Sequence, residues 1–420
     1  MNPMNTLLRA VASIAIITTT AVAGGTQVQP MQLTIDDVVA RVLARNLSVE
    51  AAKHRLEAAR AERIAARLRP NPSLTVGAED VKVSGPTPAG ELYEVSTTVS
   101  QPIELGDKRQ RRRDVAELTV AVAEVQVADA LHQRLVEAKR AFYEGVLARD
   151  VLARARTIRD SYDQLVGSTQ SRFDAGDVAE GELIKARLER ARADVAVSQA
   201  GLGLRQTMIR LLDLLGEADF ASEREVVGDL TVPPAPPDLS ELRAVAGRER
   251  PSVLAAERAA DLAARRVALE RSQATPDVSP FLGYRRVGEN NTVLFGISIP
   301  LPLTDRNQAA IARAVAEEKG AQTEAAQQRH RALADVESAW AAWQTARSRV
   351  AAVESGLLPQ AAESLEIARA AYRDGAIGLL EYLEAQRTLA DVRHEHARSL
   401  FEAQASRLML ELAVGRELPR

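Results

Sequence analysis

The chain repeats its own order of elements after about 198 residues, and this duplication limits the folds that it can adopt. Each half reads as a helix, two short alternating segments, a very long helix, a tight break and a further helix. The segment Pro102–Gln110 aligns with Pro300–Gln308. Further aligned positions are Phe173, Gly176, Glu182 and Ala186 with Tyr372, Gly375, Glu381 and Ala385. Such an internal repeat predicts one architecture that is built twice.

Two pairs of segments alternate between apolar and polar residues, as amphipathic strands do. The first pair covers about 73–83 and 92–101, and the second covers about 277–287 and 292–301. Strands of about ten residues can cross an outer membrane at a tilt. Four strands cannot close a barrel, and their open edges in lipid would leave backbone groups unpaired. Several copies must therefore share one barrel, with eight strands from two copies or twelve strands and a pore from three.

The long segments between these strands predict very long helices. Proline is absent and glycine is sparse from residue 105 to about 172, which predicts one helix or two stacked helices there. A second very long helix is predicted from 305 to about 373. The apolar residues are mostly Ala, Val and Leu, and they spread over more than one narrow stripe. This pattern favours a closed cylinder of helices, with a rod-like soluble bundle as the alternative.

Composition excludes several classes of protein. The 54 Lys and Arg residues nearly balance the 57 Asp and Glu residues, so the net charge of −3 gives no case for nucleic-acid binding. A hydrophobic content of 46% with 26% charged residues excludes disorder. Aromatic residues make up only 3%, which is typical of long helices rich in Ala, Arg, Glu and Leu that pack closely.

The chain also lacks the residues and motifs of common catalytic and metal sites. Cysteine is absent, which excludes disulfides, Cys-ligated zinc, iron–sulfur clusters and thiol nucleophiles. There is no HExxH motif, phosphate-binding glycine loop or nucleophile elbow. His394 and His396 are two residues apart on a predicted helix, so they do not share a face. We therefore predict no enzyme activity, no cofactor and no metal site.

The N-terminus predicts export. Arg9 supplies a positive charge, Val11–Val22 is a short apolar run, and small residues allow cleavage before Gly24. A buried N-terminal helix is the less favoured interpretation, because the run is short and Gly-Gly-Thr-Gln follows it. The chain then divides into five predicted parts. These are a signal peptide (1–23), a first repeat with its tip near residue 176 (24–215), a linker (216–238), a second repeat with its tip near residue 375 (239–415) and a C-terminal tail (416–420).

Several motifs together resemble TolC-type outer-membrane factors, the outer membrane efflux protein family, over about residues 32–415. The motifs are Pro70-Asn71-Pro72 before the first strand, Ser100–Gly106 after the second, Ile299–Gln308 after the fourth, and Tyr372–Gly375 before Leu383–Arg387. The Pro-Leu-Pro-Leu-x-Asp-Arg-Asn-Gln run is most similar to the CzcC-like branch, which serves heavy-metal cation pumps. Thr304 stands where that branch usually carries Phe, and no lipidated Cys follows the signal.

The resemblance implies a mainly α fold with a small β part. Three copies would form a long periplasmic α-barrel, and four strands from each would share a twelve-stranded outer-membrane β-barrel. It implies an exit duct in outer-membrane lipid that exports heavy-metal cations with a periplasmic adaptor and a proton-driven inner-membrane pump. Drugs or a type I secretion substrate are the alternative cargo. A periplasmic adaptor or a structural coiled-coil protein is the alternative class, but the duplicated hairpins and paired strands argue against both.

The resemblance also assigns roles to residues at the two helix breaks. Gly176 and Gly375 permit the positive φ that ends a helix, and with Phe173 they would mark the periplasmic tips that dock the adaptor. A plain turn is the simpler interpretation of both glycines. Tyr372 occupies the position of a tyrosine that takes part in gating hydrogen bonds in the family. Its counterpart Phe173 has no hydroxyl group.

Three acidic residues follow these breaks within three helical turns. Threefold symmetry would turn each of Glu182, Glu381 and Glu384 into a ring, and carboxylate rings attract cations and repel anions. Glu381 and Glu384 share a helix face because they are three residues apart. The alternative is a solvated face, or ion pairs with Lys185 or Arg387.

Overall fold

The computed structural model describes residues 31–81, 83–85, 93–222 and 224–419. The predicted signal peptide and residue 420 of the predicted tail lie outside these ranges. The helices are α1 (Ile35–Arg45), α2 (Leu47–Ala65), α3 (Lys108–Asp174), α4 (Glu180–Leu214), α5 (Leu239–Glu249), α6 (Pro251–Gln273), α7 (Gln308–Ala352), α8 (Leu358–Arg373) and α9 (Leu379–Val414). The strands are β1 (Met31–Leu33), β2 (Ser73–Glu79), β3 (Glu94–Ser100), β4 (Arg224–Val226), β5 (Ser279–Val287) and β6 (Asn290–Ser298).

The fold is mainly helical with a small β part, as predicted. Among the described residues, none of the helices combines the length and the apolar character that a membrane span requires. The predicted helix at 34–69 is two helices that meet at Asn46. The Asn46 side chain accepts hydrogen bonds from the N–H groups of Ser48 and Val49, and it donates to the Leu214 carbonyl at 2.8 Å. These bonds replace the helical ladder at the break, because an Asn side chain competes well for backbone groups.

Strands from both repeats form one antiparallel sheet in the order β2–β3–β5–β6. One face carries large apolar side chains, in rows such as Leu74, Val99, Leu282 and Phe295. Leu74 is 66% exposed and Phe295 is 85% exposed. The other face carries polar rows such as Gly77, Ser96, Arg285 and Thr292. The sheet is thus amphipathic, with its apolar face exposed and with β2 and β6 at its edges.

The polar face contains an ion pair between strands. Arg285 Nη2 of β5 lies 2.7 Å from Glu94 Oε1 of β3, and Glu94 is largely buried there. This pair joins the two repeats, because each repeat contributes one of the two central strands. Opposite charges on one face of a sheet stabilise the register that brings them together.

The two very long helices differ in continuity. Helix α3 runs unbroken for 67 residues, which is the first of the two predicted alternatives. The helix predicted at 305–373 is instead α7 and α8, separated by a π-helical turn at Val353–Leu357 (the π turn). There the Leu358 N–H donates to the Val353 carbonyl, five residues back. Pro359 follows at once, and because it has no N–H it cannot continue the ordinary ladder.

Both long helices begin after a residue with left-handed backbone. Asp107 has φ of 59° and Asn307 has φ of 61°, and the helices start at Lys108 and Gln308. These starts are 200 residues apart. The motif alignment of Gln110 with Gln308 is therefore two residues away from the structural correspondence.

The linker and the C-terminal tail pack against the middle of the helices. Strand β4 of the linker pairs in parallel with β1. The Arg149 side chain donates to the carbonyls of Val226 at 2.8 Å and Gly228 at 2.9 Å. Arg407 of α9 donates to the Pro234 carbonyl at 2.6 Å and to the Leu418 carbonyl at 3.3 Å. The partly buried Arg149 of α3 and the buried Arg407 of α9 thus each hold a segment that periodicity alone describes as irregular.

Candidate functional site at the helix tips

The two breaks predicted as tips have the same geometry. Gly176 has φ of 82° and Gly375 has φ of 72°. The Gly176 N–H donates to the Phe173 carbonyl at 2.9 Å, and the Gly375 N–H donates to the Tyr372 carbonyl at 3.2 Å. A Cβ atom on either glycine would have no neighbour within 4 Å. Glycine is therefore needed for its positive φ and not for lack of space.

An aromatic stack joins the two helical hairpins near these turns. The rings of Tyr372 on α8 and Tyr382 on α9 are nearly parallel, with centroids 5.3 Å apart. The guanidinium carbon of Arg172, on α3, lies 5.5 Å from the Tyr372 ring centroid, which is a cation–π distance. Phe173 is half-buried and lies outside this stack. Tyr372 and Phe173, which are equivalent positions in the two repeats, therefore differ in their contacts. The Tyr372 ring bridges the hairpins, and the Phe173 ring does not.

The core below the stack is formed by residues of both hairpins. Its buried members are Tyr162, Leu165, Ala186, Ala193, Leu379 and Leu383. Burial raises the pKa of the Tyr162 phenol and of the Tyr382 phenol, so both stay protonated at neutral pH. The two tips are therefore joined by a packed and uncharged core within one protomer.

A buried carboxylate that the sequence interpretation missed links the hairpins at the edge of this core. Glu189 on α4 is only 7% exposed. Its Oε1 atom accepts from Arg192 at 2.7 Å and from Arg387 of α9 at 2.5 Å. The hydrogen bond to Glu189 raises the pKa of Arg387, which also bonds the Tyr162 hydroxyl. The sequence did contain a signal that Glu189 is buried. It lies three residues after Ala186 and four residues before Ala193, on the helix face that these two core residues share.

The predicted acidic residues lie in two places. Glu381 and Glu384 line a groove between α8 and α9 with a volume of about 620 Å³. Glu182 is half-buried in the first turn of α4, on the other hairpin. Within the described part of the chain, none of these three carboxylates forms a hydrogen bond or an ion pair. Arg387, one of the partners considered for them, is bound to Glu189 instead.

Other candidate ligands do not converge on one point. His396 Nε2 lies 2.9 Å from Glu354 Oε1 of the π turn, so this imidazole contacts a neighbouring helix. His394 lies beside Arg140, Arg398 and Phe401 in a separate groove of about 470 Å³. Across the described residues, no three His, Asp or Glu side chains are grouped so that they could hold a metal ion.

The sequence matches a known family over most of its length. The family model described as outer membrane efflux protein matches residues 38–217 and 243–416. The cobalt-zinc-cadmium resistance protein CzcC of Cupriavidus metallidurans is 26% identical over 388 residues, which cover 91% of this chain and 90% of that protein. The nickel and cobalt resistance protein CnrC of the same organism is 28% identical over 225 residues, or 52% of this chain and 51% of that protein.

Solved structures of similar fold include outer-membrane channels. CusC, described in terms of transmembrane channel formation, superposes with a TM-score of 0.77 at 19% identity, covering 91% of this chain and 92% of that chain. The CmeC outer membrane channel of Campylobacter jejuni superposes with a TM-score of 0.78 at 17% identity, covering 91% and 85%. At this identity the similarity establishes the fold, and the predicted fold class of the protomer is confirmed.

Proposed function

The chain belongs to the outer membrane efflux protein family, and from this premise we propose that three copies form the exit duct of a tripartite pump for heavy-metal cations. The family consists of outer-membrane channels, which are not enzymes, and the chain is located in the outer membrane with its helices extending into the periplasm. The family match also removes the periplasmic adaptor and the structural coiled-coil protein as alternatives.

The observation that carries the proposed assembly is the exposed apolar face of the four-stranded sheet. In water, side chains as exposed as Phe295 and Leu74 would cost about 25 cal/mol per Å² of apolar surface relative to burial. In lipid the same face is stable, provided that the N–H and C=O groups at the edges β2 and β6 find partners. Three copies pair each β6 with a neighbouring β2 and close twelve strands around a polar lumen.

The cargo is inferred from two independent features. The likeness to CzcC extends over nearly the whole of both proteins, and CzcC is a cobalt-zinc-cadmium resistance protein. In addition, the carboxylates of Glu182, Glu381 and Glu384 are unpaired within the protomer, so threefold symmetry would concentrate negative charge at the tips. Heavy-metal cations fit such a path better than anionic drugs do.

The partners follow from the same tips. The exposed turns at Gly176 and Gly375, flanked by Phe173 and Tyr372, are the surfaces that we assign to a periplasmic adaptor. A proton-driven inner-membrane pump would supply the energy through that adaptor. Opening would then be a shift in population between packed and separated hairpins at the tip.

A bilayer experiment tests the duct and its charge together. We expect the detergent-purified protein to have the mass of a trimer and to give small, cation-selective, mostly closed currents in planar bilayers. The double variant Glu381→Gln/Glu384→Gln should lower the cation-to-anion permeability ratio several-fold, because two rings of charge are lost. Glu324→Gln, at an exposed position of α7 far from the tip, is the matched control and should leave the ratio unchanged.

The outcomes separate the parts of the proposal. A monomer that never inserts would exclude the duct. A conducting trimer without preference for cations would exclude metal cargo and favour drugs or a secreted substrate. Reversal potentials that are unchanged in the double variant would remove the rings of Glu381 and Glu384 from the selectivity mechanism.

A further inference from the structure

Two consecutive arginines near the end of β5 lie on opposite faces of the sheet, because successive residues of a strand alternate between faces. Arg285 lies on the polar face, where it pairs with Glu94 of β3. Arg286 lies in register between Val95 of β3 and Asn291 of β6, in a row that belongs to the apolar face. Arg286 is exposed. The apolar face therefore carries a cation at this end.

The row of Arg286 lies at the end of the sheet that is remote from the helices. Helix α3 follows β3 and helix α7 follows β6 at the opposite end of the strands, on the periplasmic side. Between the Arg286 row and that end, β6 presents exposed apolar residues at alternate positions, namely Val293, Phe295 and Ile297. A charge on the lipid face of a barrel is least costly at the membrane interface. Arg286 therefore marks the level of the lipid headgroups in the outer leaflet.

The Arg286 guanidinium is held in place and has a free edge. Its Nε atom donates to the Gly288 carbonyl at 2.9 Å. Within the described part of the chain it has no carboxylate partner, and Glu289 in the adjoining turn forms no ion pair with it. Its neighbour in the row, Val95, is a short side chain. The two Nη groups are thus left to form the paired hydrogen bonds with which arginine binds a phosphate.

A neutral donor and an aromatic ring lie beside this cation. Asn291 is directly opposite Arg286 on β6. The Asn291 Oδ1 atom accepts from the Tyr284 hydroxyl, so the NH2 group of the amide is left to donate. Across the described residues this NH2 group has no acceptor. The Tyr284 ring is 47% exposed on the same face, one row nearer the helices. One surface therefore offers a guanidinium, an amide donor and an apolar ring.

This combination matches a phosphorylated sugar better than a simple phospholipid. A lone phosphate would use only the guanidinium, whereas a sugar phosphate also presents hydroxyl groups that an amide can bond. The acyl chains of such a lipid would lie along Tyr284 and Val293. We propose that Arg286, Asn291 and Tyr284 bind the phosphorylated sugar headgroup of an acylated glycolipid in the outer leaflet, with one site on each copy. The proposal rests on the membrane position of the sheet proposed above and adds a ligand at its extracellular edge.

Native mass spectrometry of the detergent-purified channel tests the site, with diphosphoryl lipid A as the probe. We expect up to one bound lipid A for each copy. Arg286→Gln should lower the bound fraction about tenfold, because the paired hydrogen bonds to phosphate are lost. Arg286→Lys should lie between the two, since it keeps the charge and loses the fork. Arg285→Gln is the matched control on the polar face and should bind within about twofold of the natural protein.

Changing the ligand gives the reciprocal test. An acylated diglucosamine without phosphates should bind the natural protein and Arg286→Gln equally, to within about twofold, because the group that Arg286 contacts is absent. Phosphatidic acid has a phosphate but no headgroup hydroxyl. Asn291→Ala should therefore weaken the binding of lipid A about fivefold and leave the binding of phosphatidic acid unchanged.

The outcomes distinguish the site from the duct. A trimeric, conducting protein that binds lipid A equally with and without Arg286 overturns the site while the duct stands. An equal loss of binding in Arg285→Gln also contradicts the site, because the effect would then come from the sheet as a whole. Phosphatidic acid that binds as tightly as lipid A and depends equally on Arg286 overturns the glycolipid in favour of a phospholipid. A protein that is monomeric and never conducts overturns both proposals.

Discussion

The two helical hairpins of the molecule, α3–α4 and α7–α8–α9, have the same turn geometry but differ in the helices that lead to the turn. The first runs up α3 and down α4 without interruption, whereas the second is broken between α7 and α8 by the π turn before Pro359. Counting from the tip glycines, the position of Pro359 corresponds to Asp160 in α3. The two halves therefore share the same tip, whereas the helix that leads to the second tip contains a π-helical interruption.

Polar side chains of α9 contact the π turn and the last turn of α7 before it. His396 contacts Glu354 of the π turn at 2.9 Å. Just before the turn, Arg349 reaches Glu395 at 3.2 Å and Glu402 at 3.0 Å. Exposed pairs of this kind contribute about 0–1 kcal/mol each, so they add little to the stability of the π turn. In the first hairpin the corresponding part of α3 is uninterrupted helix, so its backbone hydrogen bonds are continuous.

Placing a proline in the uninterrupted helix α3, at the position equivalent to Pro359, should have the largest effect. Asp160→Pro removes a backbone donor in the interior of α3 and should cost about 3 kcal/mol or more. We expect amide hydrogen exchange around residues 150–165 to accelerate about 100-fold, since about 1.4 kcal/mol corresponds to a factor of ten. The exchange should be measured by mass spectrometry on the purified channel.

The control for this change is Asp160→Ala, which keeps the N–H group and should leave exchange within about threefold of the natural protein. In the second hairpin, Pro359→Ala should slow exchange in the π turn, because an ordinary ladder becomes available there. If Asp160→Pro is as well protected as the natural chain, continuity of α3 is not what distinguishes the two hairpins.

Some of the differences between the two hairpins could be predicted from the sequence, and others could not. The long segment without proline predicted one helix or two stacked helices at α3, and Gly176 and Gly375 predicted the two helix breaks. The π turn was missed although Pro359 was visible, because one proline within a strong helical pattern ends, kinks or bulges a helix according to its packing. Asn46 was read as helical because its neighbours continue the helical pattern. Its side chain caps α2 by local bonds to Ser48 and Val49, and its further bond to the Leu214 carbonyl, 168 residues away in sequence, leaves no signal in that pattern.

The candidate site shows the same limit. The glycines and the glutamates were singled out from their positions at and after the breaks, and the roles predicted for them came from the family resemblance. Glu189 was not, because a buried carboxylate is stable only with its partner, and Arg387 comes from the other repeat. The three-residue strands β1 and β4 were missed too, since so short a pairing leaves no periodic pattern in the sequence.

The aromatic stack gives the second prediction, of intermediate size. Tyr372→Ala removes the stack on Tyr382 and the cation–π contact with Arg172, and these should together cost about 1–2 kcal/mol. We expect exchange around residues 372–385 to accelerate about tenfold and the open probability in bilayers to rise. Phe173→Ala, at the equivalent position of the first hairpin, should have a smaller effect because Phe173 lies outside the stack.

Tyr372→Phe separates the ring from the hydroxyl. Within the described protomer the Tyr372 hydroxyl has no hydrogen-bond partner, so this variant should behave like the natural protein in both measurements. A Phe variant that opens as readily as the Ala variant would show that the hydroxyl bonds a neighbouring copy. The gating role that the family resemblance implies for this tyrosine would then lie between copies and not within one.

The smallest effects should come from the tips themselves, where the two hairpins are alike. Gly176→Ala and Gly375→Ala each place a side chain at a positive φ and should each cost about 1 kcal/mol. Neither new methyl group would meet an atom within 4 Å, so packing adds nothing to the cost in an isolated protomer. We expect a roughly fivefold rise in exchange at each tip, and a smaller rise for the Asn variants, because Asn adopts positive φ more readily.

An equal rise in exchange at both tips would confirm that the two turns are alike and that the hairpins differ only in their helices and in the residues beyond the turn. An effect at one tip that exceeds the other by more than tenfold cannot come from backbone strain, which is the same in both turns. It would mean that the more sensitive glycine lies against another copy in the assembled duct. Measured without an adaptor, this difference therefore reports which hairpin forms the closed end of the channel.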